Sequence, residues 1–257
     1  MCPGAPFLID GTADAVAAGL KPVVLACAEA VSRLPPADVT LLITSCHRAG
    51  PPADGPGWRL FSPGTRIATT ALRRSDLPDL HSLVLAGGGS DPAPGTVHDA
   101  AVGTMVGAHL LMAFPPEAAD HCSATPAGET LVIEIAGNPA GAARELASRL
   151  NPALRVAVLV VADGSARHGD AAPGGPDGRA DAFDAALADA LASGDPIALR
   201  AGTADRELAG DLLATVDPLA VLAELSESRA PDAVELLYGA APLGVGYLAA
   251  SWLWAPS

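Results

Sequence analysis

The chain has 257 residues and a formal net charge of −14, and 50% of its residues are hydrophobic while 17% are charged. This apolar content excludes an intrinsically disordered chain, and the length is sufficient for one large α/β domain, which we expect to cover residues 1–257. The negative charge repels phosphate backbones, and the sequence shows no basic patch that could overcome it. Nucleic acid is therefore not an expected partner.

The cysteines and the composition near the two ends of the sequence indicate the cellular compartment to expect. The four cysteines (Cys2, Cys27, Cys46 and Cys122) lack CxxC or CxH spacing, which argues against a zinc knuckle and a disulfide framework and favours a reducing cytoplasm. The first residues, MCPGAPFLIDG, lack the basic and apolar regions of a signal peptide. Residues 236–257 carry no charge and could span a bilayer by length, but Gly and Pro divide them. Two buried strands are the preferred interpretation, and we expect no membrane partner.

The first half of the chain predicts two helices and at least one strand. Residues 20–34 place apolar side chains on one helical stripe, and DVTLLITSCH (38–47) is a β-branched run typical of a buried strand. The Gly- and Pro-rich residues 48–66 predict a loop. HSLVLAGGG (81–89) fits either a strand or a helix end, and residues 99–114 predict a helix with small and apolar residues at helical spacing.

The middle of the chain predicts a β-α-β unit. ETLVIEIAG (129–137) and RVAVLVVAD (155–163) are continuous apolar runs typical of strands. Between them, Asn138 is a suitable N-cap and Pro139 suits the first helical position. This order implies a right-handed crossover and a mostly parallel sheet with helices on both faces. We therefore expect an α/β fold with three layers, α/β/α.

Helices and a strand pair follow. After a loop at 164–180, ADAFDAALADALASG (180–194) has apolar residues on one helical face and predicts an amphipathic helix. Two more helices near 205–214 and 217–228 precede the final two strands. Trp252 and Trp254 in the last strand would be costly to expose, which predicts either a contact between two copies of the chain, a homodimer, or a strand face covered by a helix.

Polar side chains follow two of the predicted strands. In an open parallel sheet, helices cover both faces, so small-molecule ligands reach the crevice beyond the carboxyl ends of the strands. His47 follows the strand at 38–47, and Asp163, Ser165 and His168 follow the strand at 155–163. We expect these residues to line a common hollow. In the structural alternative, Asp163 caps the turn and Ser165 begins the loop.

Other motifs are weaker. Ser165 is flanked two positions away by Asp163 and Arg167 rather than by glycines, which disfavours a nucleophile elbow. The glycine-rich residues 85–95 lack GxGxxG order and predict a loop. His109 within an apolar helix predicts a core histidine. His47 beside a thiol suits iron or zinc, but a metal site requires further ligands, so a structural role for His47 stays open.

Two segments resemble a known enzyme family. RVAVLVVADGSARHGDAAPGGPDGRADAFDAALADALASGD (155–195) and VELLYGAAPLGVGYLAASW (234–252) are similar to the C-terminal half of the LigB-like branch of the class III extradiol ring-cleavage dioxygenases. The likeness is greatest to an uncharacterised subgroup of high-GC bacteria. Three N-terminal pieces fit more loosely: CPGAPFLI, VTLLITSCH and GTMVGAHLLM.

The resemblance implies a cleft that, in active members, holds non-haem Fe(II) between two histidines and a carboxylate, with a further histidine as acid–base group. In this chain SCH (45–47) matches the motif of one metal ligand, His47, and Glu235 is the carboxylate nearest to the position of the last ligand. Ala166 stands where the acid–base histidine is expected, with His168 two residues on, and CPGAP has no histidine for the first ligand.

Two functions remain open from the sequence. In the first, the chain is a homologue with a degenerate metal site and a cleft for a small, aromatic molecule, without ring cleavage. In the second, it is a metal-dependent oxygenase acting on a catechol-like substrate with Fe(II) or zinc. In either case His168, Asp163 and Ser165 are the candidate catalytic residues, and His47 and Glu235 are the candidate metal ligands.

Overall fold

The computed structural model describes residue 1 and residues 16–46, 56–62, 66–68, 82–84, 97–113, 129–226 and 229–255. The strands are β1 (Val39–Ser45), β2 (Trp58–Phe61), β3 (Arg66–Ala68), β4 (Ser82–Val84), β5 (Val97–Asp99), β6 (Glu129–Ile135), β7 (Val156–Val161), β8 (Ala233–Ala240) and β9 (Tyr247–Leu253). The helices are α1 (Val16–Ser32), α2 (Val102–Ala113), α3 (Pro139–Arg149), α4 (Ala180–Ser193), α5 (Pro196–Gly202), α6 (Arg206–Asp211) and α7 (Asp217–Leu225). A short 3-10 turn spans Pro242–Gly244.

The largest sheet is mixed and has the strand order β2-β6-β1-β7. β1 is parallel to both of its neighbours, and β2 pairs antiparallel with β6 at the edge. The predicted β-α-β unit is confirmed as β6-α3-β7, with β1 inserted between its two strands. Asn138 caps α3 by accepting a hydrogen bond from the backbone N–H of Gly141 at 3.0 Å, as the sequence predicts.

Two separate hydrophobic cores lie against this sheet. Leu41, Ile43 and Val160 belong to a core that includes buried residues of α3, α4, α5 and α7. Leu42 and Leu159, which alternate with them along the strands, belong to a second core with residues of α1 and α2. Burial on both sides explains why β1 and β7 are continuously apolar. The chain is therefore an α/β protein, and its arrangement is compatible with three layers.

The C-terminal residues form the predicted pair of strands. β8 and β9 are antiparallel, with an irregular register between Leu236 and Tyr238. Leu248 and Ala250 of β9 lie in the first core, and Tyr247 lies in the second. No helix in the described part of the chain has the length and apolarity needed to cross a membrane.

The structure corrects two expectations. The loop predicted at 48–66 contains β2, whose four residues gain their backbone partners from β6 rather than from any local pattern. A helix that was not predicted, α5, begins after Asp195, whose side chain accepts a hydrogen bond from the N–H of Ile197. The undecided stretch at 81–89 contains the strand β4. β3, β4 and β5 form a separate three-stranded sheet in the order β4-β3-β5.

Candidate functional site

The loop after β7 is tied to the turn before β9 by backbone hydrogen bonds. The N–H of Gly164 donates to the carbonyl of Gly246 at 3.0 Å, and the N–H of Gly246 donates to the carbonyl of Ser165 at 2.7 Å. The N–H of His168 donates to the carbonyl of Gly244 at 3.1 Å. The two sequence segments that carry the family resemblance therefore meet at this point.

His168 lies between two carboxylates of α4. Its Nδ1 is 2.8 Å from Oδ1 of Asp181, and its Nε2 is 2.6 Å from Oδ2 of Asp184. Burial of the ring disfavours its charged form, but the hydrogen bonds and charges of Asp184 and Asp181 outweigh that effect and raise the pKa of His168. When both ring nitrogens donate to these carboxylates, His168 carries a proton on each, and the raised pKa favours this charged form.

Asp184 is the buried one of the two carboxylates that contact His168. Its carboxylate fits there because the residues beside it, at positions 164 and 246, are glycines. A Cβ at position 164 would lie 2.7 Å from both carboxylate oxygens, and a Cβ at position 246 would overlap Oδ2 and lie 2.8 Å from Cγ. The N–H of Ser165 donates to Oδ1 at 2.9 Å. Burial raises the pKa of Asp184, while the hydrogen bonds from Ser165 and His168 oppose the rise.

Asp181 differs from Asp184 in its exposure. The side chain of Asp181 is 93% exposed and that of Asp184 is 11% exposed. An exposed side chain can turn away from Nδ1 of His168 at small cost, whereas Asp184 is fixed by the backbone around it. A proton on Nδ1 of His168 is therefore passed to another acceptor more easily than a proton on Nε2.

Ser165 is a structural residue, and its hydroxyl is not exposed. It is fully buried, its Oγ donates to the carbonyl of Leu212 at 3.2 Å, and the same Oγ accepts from the N–H of Arg167 at 3.1 Å. These bonds fix the loop that carries His168. The expectation of a catalytic Ser165 has no support from this geometry.

Asp163 is held at the end of β7 through its backbone. Its N–H donates to Oγ1 of Thr215 at 2.6 Å, and its carbonyl accepts from the N–H of Thr215 at 2.9 Å. Burial, together with the charge of Asp163, raises the pKa of Tyr247 to about 12. Tyr247 therefore stays protonated at neutral pH.

A cleft of about 250 Å³ opens beside His168. His168, Asp181 and Asp184 form its polar wall. Small or apolar residues complete the lining: Ala185 and Ala188 on the same helix α4, residues 239–241 around the end of β8, and Tyr247 and Leu248 from β9. The cleft can hold a small molecule that offers a polar atom to His168 and an apolar body to the other walls.

Glu235 is not brought to this cleft. Its Oε2 is 2.6 Å from Nη1 of Arg33 at the end of α1, and its side chain is 56% exposed. It precedes Gly239, the first β8 residue in the cleft, by four positions, which corresponds to roughly 13 Å along a strand. The structure thus places Glu235 in a surface ion pair, away from His168.

The metal site implied by the resemblance does not fit the described residues. His47, the other predicted ligand, lies outside the described residues, although β1 ends beside β7, with Thr44 opposite Val161. Among the residues that the structure describes, no three His, Cys, Asp or Glu side chains form a group that could hold a metal ion. Both ring nitrogens of His168 lie within hydrogen-bond distance of carboxylates.

The sequence did not indicate the role of Glu134. This residue of β6 is fully buried, and its carboxylate accepts hydrogen bonds from Nε of Arg59 at 2.9 Å and from the N–H of Ala101 and Oγ1 of Thr104, each at 2.6 Å. Arg59 also contacts it through Nη2. A charged residue inside ETLVIEI, a run buried on both faces, was the available signal. Glu134 joins β2, β6 and the start of α2.

The fold and site together describe an α/β protein with a histidine–carboxylate pair beside a small cleft. The chain matches no protein-family model, and no curated protein matches it.

Proposed function

We propose that this protein is a LigB-like homologue that binds a small aromatic molecule in the His168 cleft without a metal ion. The observation that carries the proposal is the placement of His168, whose Nε2 is held by buried Asp184 and whose Nδ1 is held by exposed Asp181 at the wall of a cleft. Support also comes from position, because the segments resembling the dioxygenase family, 155–195 and 234–252, build the cleft.

The ligand chemistry follows from the walls of the cleft. A volume of about 250 Å³ lies at the low end for ligand sites and suits a single ring. Tyr247 and Leu248 offer apolar contact to such a ring. A phenol or catechol oxygen can replace Asp181 as the acceptor of the Nδ1 proton, and the positive charge of a protonated donor strengthens that hydrogen bond.

His168 then acts as the proton-holding group. Asp184 stabilises the charged ring, so the Nδ1 proton is available to a ligand oxygen at pH values below the raised pKa of His168. Asp184 acts on the ligand only through His168 and is a positioning residue. Glu235 takes no part in ligand binding or in holding the proton, because its carboxylate is paired with Arg33 outside the cleft.

The test is a titration of the protein with catechol and with phenol, followed by NMR signals of the His168 ring, with and without a chelator. We expect catechol to shift these signals equally in both conditions. In isothermal titration calorimetry, which needs no His168 signal, His168→Gln should abolish binding, and Asp181→Asn should retain it or strengthen it. Asp189→Asn, on the exposed face of the same helix, is the matched control and should leave binding unchanged.

Two outcomes would contradict the proposal. If catechol leaves the His168 signals unchanged, or if His168→Gln binds as well as the unaltered chain, the cleft is not the binding site. If the protein instead retains stoichiometric iron or zinc that His47→Ala removes, and the iron form converts catechol to the yellow ring-cleavage product, then the metal-dependent oxygenase is the correct function.

A further inference from the structure

The His168 cleft has a charged end. Among the described residues that line it, the charged side chains are His168, Asp181 and Asp184, and hydrogen-bond distances join His168 to both carboxylates. From this end the helix α4 continues along the cleft to Ala188, its last residue in the lining. Ala188 follows Asp184 by four positions, which corresponds to about 6 Å along a helix. Ala188 therefore lies at the far end of the cleft from His168.

The strand β9 runs in the same direction as α4 beside the cleft. Gly246, the residue before β9, lies against the carboxylate of Asp184. Further along both elements, the indole of Trp252 donates a hydrogen bond to the carbonyl of Leu191 at 2.7 Å. The early residues of the two elements thus meet at the charged end of the cleft, and their later residues meet beyond its far end.

Leu248 of β9 lies at the same end of the cleft as Ala188. It follows Gly246 by two positions, which corresponds to roughly 7 Å along a strand, and it is buried. Ala188 is half-buried and packs against the hydrophobic core that contains Leu248. No charged side chain of the described lining lies at this end. The far end can therefore cover an apolar group, but it cannot compensate a charged group for its lost hydration.

A ligand bound as proposed above has one direction in the cleft. Its phenol oxygen accepts the Nδ1 proton of His168 at the charged end, so its ring lies along α4 and its para carbon faces Ala188 and Leu248. Asp181 and Ala188 are seven positions apart, which separates them by about 10 Å along the helix axis. A phenol ring alone does not fill this length, whereas a ring with a short para substituent does.

We propose that the ligand of this cleft is a phenol or catechol with a short apolar substituent para to the oxygen that faces His168, and that Ala188 determines which substituents fit. The inference rests on the function proposed for the cleft. It adds the direction of the ligand, the class of its substituent and the residue that selects for it. Ala188 faces the substituent rather than the oxygen, and a larger side chain at position 188 would occupy the space of the substituent.

The test is isothermal titration calorimetry of the full chain with phenol, para-propylphenol, ortho-propylphenol and para-hydroxyphenylpropanoate. Burial of one methylene strengthens binding by about fourfold, so even partial burial of the propyl group should make para-propylphenol bind at least about tenfold more tightly than phenol. The ortho isomer has the same apolar area in another direction and should gain much less. The propanoate carries a charge to the far end and should bind no more tightly than phenol.

A pair of variants tests the role of Ala188. Ala188→Leu should reduce the ratio of the para-propylphenol and phenol affinities to near one, because the added side chain occupies the far end. Ala186→Leu, at an exposed position of the same helix outside the described lining, is the matched control and should leave the ratio unchanged. The comparison of the two propylphenol isomers uses the unaltered chain, so it does not depend on the folding of a variant.

The outcomes separate this inference from the proposed function. If phenol binds and His168→Gln abolishes that binding, but the para-propyl group adds nothing, the inference is overturned and the proposed function stands. The same holds if ortho-propylphenol or the propanoate binds as tightly as para-propylphenol. A gain that Ala188→Leu leaves intact would overturn the role of Ala188. If none of the ligands binds, both the inference and the proposed function are overturned.

Discussion

Gly246→Ala is the most direct test of how the His168 site is held together. The added Cβ would overlap Oδ2 of Asp184 and lie 3.3 Å from Nε2 of His168. The backbone at position 246 does not adopt a positive φ, so alanine introduces no backbone strain and the substitution tests space alone. Asp184 must move, and its hydrogen bonds to His168 and to the N–H of Ser165 are broken or stretched.

The size of the effect follows from those two hydrogen bonds. A hydrogen bond to a charged group contributes about 1.5–3 kcal/mol, and partial rearrangement of Asp184 will recover some of it. We therefore expect the free energy of unfolding to fall by about 3 kcal/mol, a large part of the roughly 5–15 kcal/mol typical of a folded protein. The pKa of His168 should also fall, because the ring loses its buried anionic partner.

Urea denaturation followed by circular dichroism measures the first quantity, and an NMR pH titration of the His168 ring measures the second. Gly239→Ala is the matched control: it lines the same cleft, but its Cβ would make an ordinary contact of 3.5 Å with Leu248. A stability loss for Gly246→Ala no larger than that of the control, with an unchanged His168 titration, would refute the close packing of Asp184.

Three further predictions use the same site and the buried glutamate. Asp184→Asn should lower the free energy of unfolding by about 2 kcal/mol in urea denaturation because it removes a buried acceptor, whereas Asp181→Asn, at an exposed position, should have a much smaller effect; equal losses would contradict this assignment. The raised pKa of His168 stabilises the fold fully below about pH 6.5, and this contribution is lost as the pH rises through the folded-state pKa. His168→Gln should flatten the stability–pH profile over that range, and an unchanged profile would exclude His168 as its origin. Glu134→Gln should cost about 1.5–3 kcal/mol, because the buried carboxylate loses its charge-assisted hydrogen bonds with Arg59, and should accelerate amide exchange in β2; normal exchange there would show that Glu134 does not hold the strand.

The strands β1, β6 and β7 could be predicted because a strand that is buried on both faces requires apolar residues at successive positions, and such runs are visible in the sequence. The start of α3 could also be predicted, since Asn138 and Pro139 act on residues next to them in the sequence. β2 was not predictable in this way. Its few residues are stabilised by pairing with β6 and by the contact of Arg59 with Glu134, which lies 75 positions away.

The candidate site was predicted in part. The sequence predicted that His168 follows a buried strand, and in the structure His168 lies beside a cleft. The sequence did not indicate that Asp181 and Asp184 contact His168. Asp184 occupies a position on the buried stripe of α4 next to Phe183 and three residues before Leu187, and that position was the available signal. Its role depends on the backbones of Gly164 and Gly246, which approach it only in the folded chain.

The three tryptophans of this chain give it built-in fluorophores at two places: Trp58 in the four-stranded sheet, and Trp252 with Trp254 at the end of the β8–β9 hairpin. Trp58 lies in the edge strand β2, while Trp252 donates from its indole to the carbonyl of Leu191 at 2.7 Å and meets the ring of Trp254 edge-on at 5.9 Å. In a Trp58→Phe chain the emission reports the hairpin alone. Comparison with the unaltered chain would reveal whether the β8–β9 hairpin melts together with the four-stranded sheet or before it.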